Sequence, residues 1–593
     1  MDTSKSVGEI VRKMEQEYVY GTVNSSKYVD KSMYEDIAKI DAYVNSRHTS
    51  GLFDSLGREK PFFNISVSAR NIWYRATDID RKNIKVRATR AKHAIMAFLA
   101  TQHLQEWMRE ASFGVFLNKW GLTLATYGSA VVKFVEKDGK LIPDVEDWNS
   151  LIVDPISFND NPVVKMLELT PAQLRKRKGY DREMVERLIE AQSVRTQIDG
   201  QNKDNKSGYI KLYEIHGELP LSLLTGRPED DEEYVQQMHV VSFVASKEKG
   251  NYDDYCLISA REDDPYMITH LIELDGQTLS IGAVQNLFEA QWMANHTAKA
   301  IKDQLDVASK LMFQSADESF VGQNALDAIE SGDILTHKPN MPLTQVNNGS
   351  HDIGSLQAMQ NSWKSLGNEI NGISEAMLGI NPPSGSAWRQ TEALLTESYS
   401  LFELMTENKG LYIEEMLRRF VIPHIKRRKL SSNKEIAATL EASDMTRIDS
   451  MYIRNQANAK TNRKIIDMAI KGEVVTPEMQ AQMTQQAASQ VTQGLESSGG
   501  QRFFAPDEVD WVKEFKDFDW NSIEVDVTGE SVDRDAVTTL NTLLATIGRN
   551  PAILQDPNMR LIVNKILMRT GEVSPVELTS QTSPVAQPVP VAA

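Results

Sequence analysis

The fold is decided by residues 351–430, which read HDIGSLQAMQNSWKSLGNEINGISEAMLGINPPSGSAWRQTEALLTESYSLFELMTENKGLYIEEMLRRFVIPHIKRRKL. In the first part, from Asp352 to Leu378, apolar residues recur at alternating three- and four-residue steps. That spacing lays one apolar stripe along a helix, so the pattern predicts an amphipathic helix over these residues. The stripe consists of Leu356, Met359, Trp363, Leu366, Ile370, Ile373 and Met377.

A short loop rich in glycine, proline and serine follows, from Gly379 to Ser386. Its prolines remove backbone donors and disfavour helix, and its glycines permit positive φ. A second helix begins near Ala387. If it continues to Leu430, it is about 60 Å long at about 1.5 Å per residue. We expect Pro423 to kink or end this helix, because the proline ring clashes with the preceding turn.

Length, charge and cysteine content limit the class of protein. With 593 residues, the chain is too long for one simple core, and we expect several structural units. A net charge of −17 argues against a protein whose whole surface binds nucleic acid. It is compatible with a protein along which DNA slides with only weak phosphate contacts. Cys256 is the single cysteine, so no intramolecular disulfide can form, which fits folding in a reducing cytoplasm.

The ends and the hydropathy of the chain predict neither a signal peptide nor a membrane span. Met1–Tyr20 carries charges throughout and has no apolar core segment. No window approaches the roughly eighteen uninterrupted apolar residues that a transmembrane helix needs. The first 50 residues are predicted to be a helical arm that packs either on a neighbouring subunit or on the body of the chain.

The first half of the chain mixes helices with short strands. Ala88–Trp120 is strongly helical, with a break expected at Ser112 or Gly114. Asp138-Gly139 separates two apolar runs, which is a good hairpin signal. Thr170 before Pro171 predicts a capped helix start. Further strands are predicted at 209–216, 238–245, 255–259 and, near the C-terminus, from Ile523 to Val527.

Each of two acidic features has both a structural and a functional interpretation. Asp154 precedes Pro155, and we favour a turn-forming role for it over a catalytic one. Residues 228–233 form an acidic run, and we favour a solvated loop over a metal site or a site for a basic partner.

Residues 280–312 predict another amphipathic helix with a basic face. Lys299, Lys302 and Lys310 lie within about 80° of one another at 100° per residue, alongside Asp303 and Asp306. Repeated in a ring, these lysines would line a channel and touch DNA phosphates without reading bases. The alternative is an ordinary salt-bridged exposed face, and the sequence leaves both interpretations open.

Motifs of several enzyme classes are missing from the sequence. It contains no G-x-x-x-x-G-K-[ST], no H-E-x-x-H and no G-x-S-x-G. We therefore predict no catalytic residues, no metal ligands and no cofactor, so that the protein is not an enzyme. A two-metal nuclease assembled from distant carboxylates is not excluded by sequence.

The order helix, Gly/Pro/Ser loop, long helix, preceded by a second amphipathic helix and a small β segment, resembles the core of tailed-bacteriophage portal (head–tail connector) proteins. The resemblance covers roughly residues 60–570 and contains no short diagnostic motif. It implies an α+β, mainly α fold with a portal-like architecture. The implied parts are an N-terminal helical arm (1–60), an α+β wing (61–279), a first stem helix (280–312), a small α/β clip (313–351), a second stem helix (352–378), a tunnel loop (379–389), a long spanning wing helix (390–430), a C-terminal wing and helical crown (431–578) and a disordered tail (579–593).

The resemblance also implies a function and partners. The protein would form a ring, typically a dodecamer, at one capsid vertex, through which double-stranded DNA is packaged and ejected without sequence readout. Its partners would be the major capsid protein, the terminase large subunit and then the tail adaptor proteins, with no membrane involved. It would assemble in the host cytoplasm and reside in the virion. The implied tunnel-loop residues are Asn381, Pro382, Pro383, Ser384, Gly385, Ser386 and Arg389.

Two other classes stay open at this point. One is a different oligomeric virion scaffold or tail adaptor, which ring size and position at the capsid vertex would separate from a portal. The other is a metal-dependent nuclease or an NTPase with unfamiliar motifs, which an activity assay on purified protein would detect.

Overall fold

The computed structural model confirms the predicted class, because about 55% of the chain is helical and its sheets are antiparallel. The fold is therefore α+β and mainly α. The structure describes residues 6–21, 23–26, 29–55, 57–81, 84–87, 94–198, 208–245, 252–308, 313–316, 318, 338–342, 344–345, 353–375, 377–378, 388–429, 436–439, 442–471, 475–497, 501–504 and 523–525.

The α-helices of the described part are α1 (Val7–Met14), α2 (Met33–Val44), α3 (Ser66–Ala76), α4 (Ala94–Glu110), α5 (Phe113–Tyr127), α6 (Pro171–Lys176), α7 (Arg182–Ile198), α8 (Ser222–Thr225), α9 (Phe288–Ala308), α10 (Ile353–Ile370), α11 (Trp388–Met416), α12 (Ile422–Lys429), α13 (Ala442–Ile470) and α14 (Pro477–Ser497).

The strands are β1 (Val23–Ser26), β2 (Val29–Lys31), β3 (Ile84–Val86), β4 (Ser129–Lys137), β5 (Lys140–Val145), β6 (Leu151–Ile152), β7 (Val163–Leu169), β8 (Ile210–Pro220), β9 (Tyr234–Ala245), β10 (Tyr252–Arg261), β11 (Tyr266–His270), β12 (Phe313–Gln314), β13 (Thr344–Gln345), β14 (Ile436–Thr439), β15 (Gln501–Phe504) and β16 (Ile523–Val525). The largest sheet has five strands in the order β10-β9-β8-β7-β6, and a three-stranded sheet has the order β11-β4-β5. Two-stranded pairs join β1 to β2, β12 to β13, β14 to β15 and β16 to β3.

The chain divides into two compact units. Unit 1 comprises residues 1–78, 119–133 and 145–405, and unit 2 comprises residues 79–118, 134–144 and 406–593. Four of the boundaries fall inside α5, β4, β5 and α11, so single elements supply residues to both units.

Unit 1 has an apolar layer on each face of its five-stranded sheet. On one face α1 packs over strands β6 to β9, where Val11 and Met14 lie buried against Ile215 and Val241. The N-terminal arm therefore packs on the body of its own chain, one of the two predicted positions. On the other face α6 and α7 cover the apolar side chains of β8 to β10.

A second core of unit 1 joins α2 to the three-stranded sheet. Trp148 and Tyr266 are fully buried in it, together with Val131 and Ile37. The indole Nε1 of Trp148 donates to the carbonyl of Ser129 at 3.1 Å, which satisfies the only polar atom of a buried ring.

Unit 2 is anchored by aromatic residues of its helices. Trp107 on α4 donates through Nε1 to the carbonyl of Leu141 on β5 at 3.0 Å. The rings of Phe134 and Phe420 stack at 4.1 Å between centroids. The sequence pattern also predicts a helix over Asp444–Lys471, which α13 confirms, and α13 packs against α14.

Several local predictions are confirmed. A capping box fixes the start of α6, with Thr170 as the N-cap residue and Gln173 as its reciprocal partner. The turn Asp138-Gly139 joins β4 and β5, and both of its residues have positive φ. Asp154 forms a turn by accepting from the backbone N–H of Ile156 at 2.8 Å. The acidic run 228–233 lies at the surface, as predicted for a solvated loop.

The helix predicted from Ala88 to Trp120 is two helices, and the second extends past its predicted end. The break falls at Ser112, which has a φ of +52°, so the expected interruption is confirmed. The residues after Trp120 were expected to leave the helix, yet α5 continues to Tyr127. Leu124 and Ala125 are fully buried there, and this burial outweighs the local preference of glycine and threonine against helix.

The two predicted stem helices are both shorter than expected. The first was predicted from 280, but α9 begins at Phe288, because the backbone of Ala283 bonds the carbonyl of Ala125 instead of forming a helical turn. The second was predicted to reach Leu378, but α10 ends at Ile370. There Gly372 has a φ of +66°, and Ile373 N–H donates to the carbonyl of Asn368 at 2.8 Å. This is a Schellman cap, in which the buried Ile373 ends the helix.

The long second helix is present, and Pro423 does not end it. After α11 the chain forms a π-helical turn over Leu417–Val421 and continues directly into α12. The N–H of Ile422 bonds the carbonyl of Leu417, five residues back. A wider turn just before a proline fits the need to accommodate a ring that lacks a backbone donor.

Several predictions fall outside the described residues. They concern residues 379–387 of the tunnel loop, most of the clip and the tail 579–593. They also include two short helices that the sequence predicts for the crown, at 537–547 and 559–568. Of the clip, β12 and β13 are described as a short antiparallel pair.

Candidate functional site

Helices α9 and α10, the counterparts of the two predicted stem helices, pack against each other as an antiparallel pair. The two helices are close to each other at Gly367 of α10. A Cβ atom there would lie 2.8 Å from Leu287 Cδ2 and 3.4 Å from Ala290 Cβ. A side chain at this position would displace the end of the Leu287 side chain, so glycine favours close packing of the two helices. The contact also sets the register, because the end of α10 lies level with the start of α9.

Asn371 fixes the base of this helix pair. Its Oδ1 accepts from Asn286 Nδ2 at 3.1 Å, and its Nδ2 donates to the carbonyl of Ala283 at 3.2 Å. Its own carbonyl accepts from the indole Nε1 of Trp73 on α3 at 3.1 Å. One buried amide therefore joins the cap of α10, the segment before α9 and α3.

Replacing Asn371 with alanine should lower the free energy of unfolding of unit 1 by about 2–3 kcal/mol, because the buried partners of its amide lose their bonds. Urea unfolding of the purified full chain measures this change. Asn361→Ala, at an exposed position of the same helix, is the matched control and should change stability by less than about 0.5 kcal/mol. Equal effects of the two substitutions would contradict the anchoring role.

A second set of amide contacts holds the segment before α3 along α9. Gln291 Oε1 accepts from the backbone N–H of Ile65 at 2.9 Å, and Gln291 Nε2 donates to the carbonyl of Phe63 at 2.7 Å. Asn295 Oδ1 accepts from the N–H of Phe63 at 2.9 Å. Gln291 is fully buried, so α9 is fixed by polar contacts on this flank as well as by its apolar contact with α10.

The predicted lysine face of α9 carries ion pairs. Lys299 lies 3.6 Å from Asp303, and Lys302 Nζ donates to the carbonyl of Glu59 at 2.7 Å. Arg58 pairs with Asp303 at 2.7 Å and with Asp306 at 3.4 Å. In the single chain these residues thus form the salt-bridged face that was the alternative interpretation. Lys310 lies outside the described residues, and a channel-facing role of the three lysines stays a prediction.

The helix pair also exposes apolar side chains. On α10, Leu366 is 43% exposed and Ile370 is 59% exposed, and Met359 is exposed beside them. These three positions lie within about 40° of one another, about 80° from the direction that faces α9. On α9, Trp292 is 54% exposed, and its ring stacks on that of His296 at 5.6 Å. The sequence stripe is therefore divided: one side packs on α9, and the other is uncovered in the single chain.

The tunnel-loop residues are only partly described. Asn381, Pro382, Pro383, Ser384, Gly385 and Ser386 lie outside the described residues, and Arg389 is the second residue of α11. A position of this loop next to DNA stays a prediction.

A buried group of charged and aromatic side chains, which the sequence analysis missed, joins the two sheets of unit 1. Lys133 on β4 and His216 on β8 both contact Glu214 Oε1, His216 through Nε2 at 2.9 Å. The Lys133 ammonium lies 5.1 Å from the centre of the Tyr266 ring. Burial alone would raise the pKa of Glu214, but the hydrogen bond from His216 and the charge of Lys133 lower this pKa to about 2. The signal in the sequence was Lys133 directly after the apolar run Ala130–Val132 of β4.

Two further buried histidines in unit 1 are held neutral by their surroundings. Gln237 Nε2 donates to the carbonyl of Leu219 at 2.7 Å, so Gln237 Oε1 accepts from His239 Nε2–H at 2.9 Å. His270 Nδ1 lies 2.8 Å from Ser129 Oγ. Burial, together with the nearby His216, lowers the pKa of His239 to about 4, and burial lowers the pKa of His270 to about 4.

Acid should destabilise unit 1 through these two histidines. An unfolded histidine takes up its proton near pH 6.5, whereas the folded ones do so near pH 4. The unfolded state therefore binds more protons in this window, and the stabilisation, complete above about pH 6.5, is lost as pH falls toward about 4. We expect a loss on the order of 2 kcal/mol per histidine in urea unfolding followed across this range.

Two matched variants distinguish the contribution of a buried histidine to the acid sensitivity from that of an exposed histidine. His239→Gln should reduce the acid-induced loss by about half, since one of two titrating groups is removed. His296→Gln, on the exposed face of α9, should leave the pH profile unchanged. A profile that His239→Gln does not alter would assign the acid sensitivity to other groups.

No protein-family model and no curated protein matches this chain. Among the described residues, no helix combines the length and the apolar character needed to cross a membrane. Within the same ranges, no group of three or more His, Cys, Asp and Glu side chains is arranged to hold a metal ion.

Proposed function

We propose that this protein is the subunit of a ring-shaped portal channel through which viral double-stranded DNA passes at one capsid vertex. The observation that supports this proposal best is the α9–α10 pair, which exposes two separate surfaces in the single chain. One is the apolar stripe of α10, formed by Met359, Leu366 and Ile370. The other is the face of α9 with Trp292 and His296, which we call the tryptophan face.

The two surfaces point in different directions, so they cannot cover each other within one chain. The residues of α9 that meet α10 include Leu287 and Ala290, which lie roughly opposite Trp292 at 100° per residue. The tryptophan face thus points away from α10, and the stripe lies on a flank of α10. Contact between unlike surfaces of two copies is head-to-tail, and such a contact closes into a ring when the rotation between copies divides a full turn.

The proposed function of such a subunit is mechanical rather than chemical. Helix pairs from successive copies would surround a channel, and the loop after α10 would project from it toward DNA. In this proposal the clip is the binding site for the packaging motor and later for the tail. The overall negative charge prevents tight binding to the moving duplex. The order of elements in the sequence supports this assignment.

The native mass of the purified protein tests the proposal, combined with negative-stain electron microscopy. We expect rings of about twelve subunits with a central hole, the subunit number coming from the family resemblance and the closure from head-to-tail contact. A stable monomer or dimer at high concentration would overturn the proposal. Nuclease or NTPase activity in a monomer would replace it with the enzyme alternative.

Deleting Asn381–Ser386 should leave rings intact and impair DNA packaging or retention. The deletion removes the predicted loop next to DNA but none of the residues of the α9–α10 contact. Ring formation is measured by native mass, and packaging by the DNA content of assembled particles. Normal packaging by the deletion variant would contradict a role for the loop at the DNA.

A further inference from the structure

A small hairpin before α3 is clamped to the outer face of α9. Its described residues are 50–55 and 57–60, and we call it the knob. The N–H of Lys60 donates to the carbonyl of Leu52 at 2.9 Å, and the N–H of Asp54 donates to the carbonyl of Arg58 at 2.9 Å. Lys60 Nζ also donates to the carbonyl of Gly51 at 3.0 Å. These bonds give the knob a defined shape.

Ion pairs fix the knob to the last turns of α9. Arg58 bridges Asp54 of the knob, at 2.8 Å, and Asp303 of α9, at 2.7 Å. Lys302 reaches back to the carbonyl of Glu59 at 2.7 Å. Asp303 lies within about 20° of Trp292 at 100° per residue, so the knob sits on the tryptophan face, about 16 Å along the helix from Trp292.

The strand that leads into the turn of the knob exposes two apolar side chains. Leu52 is 48% exposed and Phe53 is 63% exposed, and the two are adjacent in the chain. To hold the knob on α9, only the charged residues near its turn, Asp54 and Arg58, are needed. Exposed apolar side chains on a hairpin that is held by hydrogen bonds and ion pairs are suited to binding, because little conformational freedom is lost when they are covered.

We propose that Leu52 and Phe53 of the knob dock on a second copy of this chain, at the first turns of α10. This inference rests on the proposed function, because it takes the tryptophan face and the α10 stripe as the two sides of the ring contact. The knob extends the tryptophan face, so a neighbour seated on that face also meets Phe53. The partner surface is the α10 stripe from Met359 toward Ser355.

The heights of the two surfaces along the helices agree. Gly367 lies level with Leu287 and Ala290, and the helices run antiparallel. At about 1.5 Å per residue in both helices, the first turn of α10 therefore lies level with residues near 300–303 of α9, where the knob is clamped. The inference takes the α9–α10 pair to run along the ring axis. Rotation about that axis then leaves each height unchanged, so the neighbour presents its Ser355 at the level of the knob.

Cross-linking of the full chain tests the contact. In a Cys256→Ser background, which removes the exposed native thiol, Phe53→Cys is combined with Ser355→Cys and treated with a short bis-maleimide. We expect a ladder of covalent oligomers that ends at the ring size, because each band requires a link between copies. Phe53→Cys with Lys364→Cys, an exposed position on another side of α10, is the matched control and should give no ladder.

The outcomes separate this inference from the proposed function. Rings without a Phe53–Ser355 ladder, or with an equal ladder in the control pair, would overturn the docking of the knob and leave the ring assignment standing. Protein that stays monomeric by native mass would overturn both. A ladder from the test pair alone, in protein that forms rings, supports the contact.

Discussion

Replacing Gly128 with alanine should destabilise unit 1 by more than about 4 kcal/mol, enough to leave most of the protein unfolded or insoluble. Gly128 ends α5 with a φ of +77°, and a Cβ atom there would lie 2.6 Å from the backbone carbon of Ile281 and 2.8 Å from the nitrogen of Gly282. Both obstacles are backbone, so no side-chain rotation relieves the overlap. The segment that leads into α9 would have to move.

Substitution of a second glycine distinguishes the effect of this overlap from the effect of a positive φ alone. Gly276 has a φ of +68° in the same unit, and nothing lies within 4 Å of a Cβ atom built there. Gly276→Ala should therefore cost only about 1–2 kcal/mol, the penalty of a left-handed conformation for an L residue. The soluble fraction and urea unfolding of both variants measure the difference. Similar losses in the two variants would show that the backbone near Ile281 can shift to make room for a Cβ atom at Gly128.

Local signals in the sequence predicted those parts of the fold that depend on a few neighbouring residues. The capping box at Thr170, the turn at Asp138-Gly139 and the break at Ser112 each satisfy backbone groups within a short stretch. Their physics is local, so the residues that cause the structure are adjacent in the chain.

The ends of the two stem helices could not be predicted in this way. The apolar repeat continues through Ile373 and Met377, which extends the predicted helix past its real end. What ends α10 is a tertiary arrangement: Asn371 is buried against α3 and the segment before α9, and Gly372 takes a positive φ. The pair Asn-Gly carried a local signal for this cap, but the continuing apolar period concealed it.

The candidate site depends on contacts that sequence periodicity does not distinguish. The repeat of α10 identified Leu356, Met359 and Leu366 as one stripe, and only the position of α9 shows which of them are covered. The buried group around Glu214 was missed for the same reason, because Lys133 and Glu214 are 81 residues apart and meet only when the two sheets pack.

Replacing Leu366 with glutamate should convert rings into monomers. In the single chain Leu366 is half exposed, so the variant keeps its fold, and urea unfolding of the monomer should change by less than about 0.5 kcal/mol. In the ring the same position would place a charge in the centre of an apolar contact. Losing the apolar burial and desolvating the carboxylate together cost about 3 kcal/mol or more at every interface.

The size of this effect follows from its repetition around the ring. About 3 kcal/mol weakens each contact by about a hundredfold, and every subunit contributes one such contact. Native mass across a concentration series should therefore show monomers where the unmodified protein forms rings. Trp292→Glu, on the opposite side of the same contact, should have an equal effect, as expected when two unlike surfaces meet.

A matched control is Asn361→Glu, which introduces the same side chain at an exposed position on the far side of α10 from the stripe. It should form rings normally, so that loss of rings in Leu366→Glu cannot be assigned to added charge or to helix propensity. Intact rings in both Leu366→Glu and Trp292→Glu would mean that the subunits meet through other surfaces. The α9–α10 pair would then be exposed for a different partner, and the docking position of the knob would fail with it.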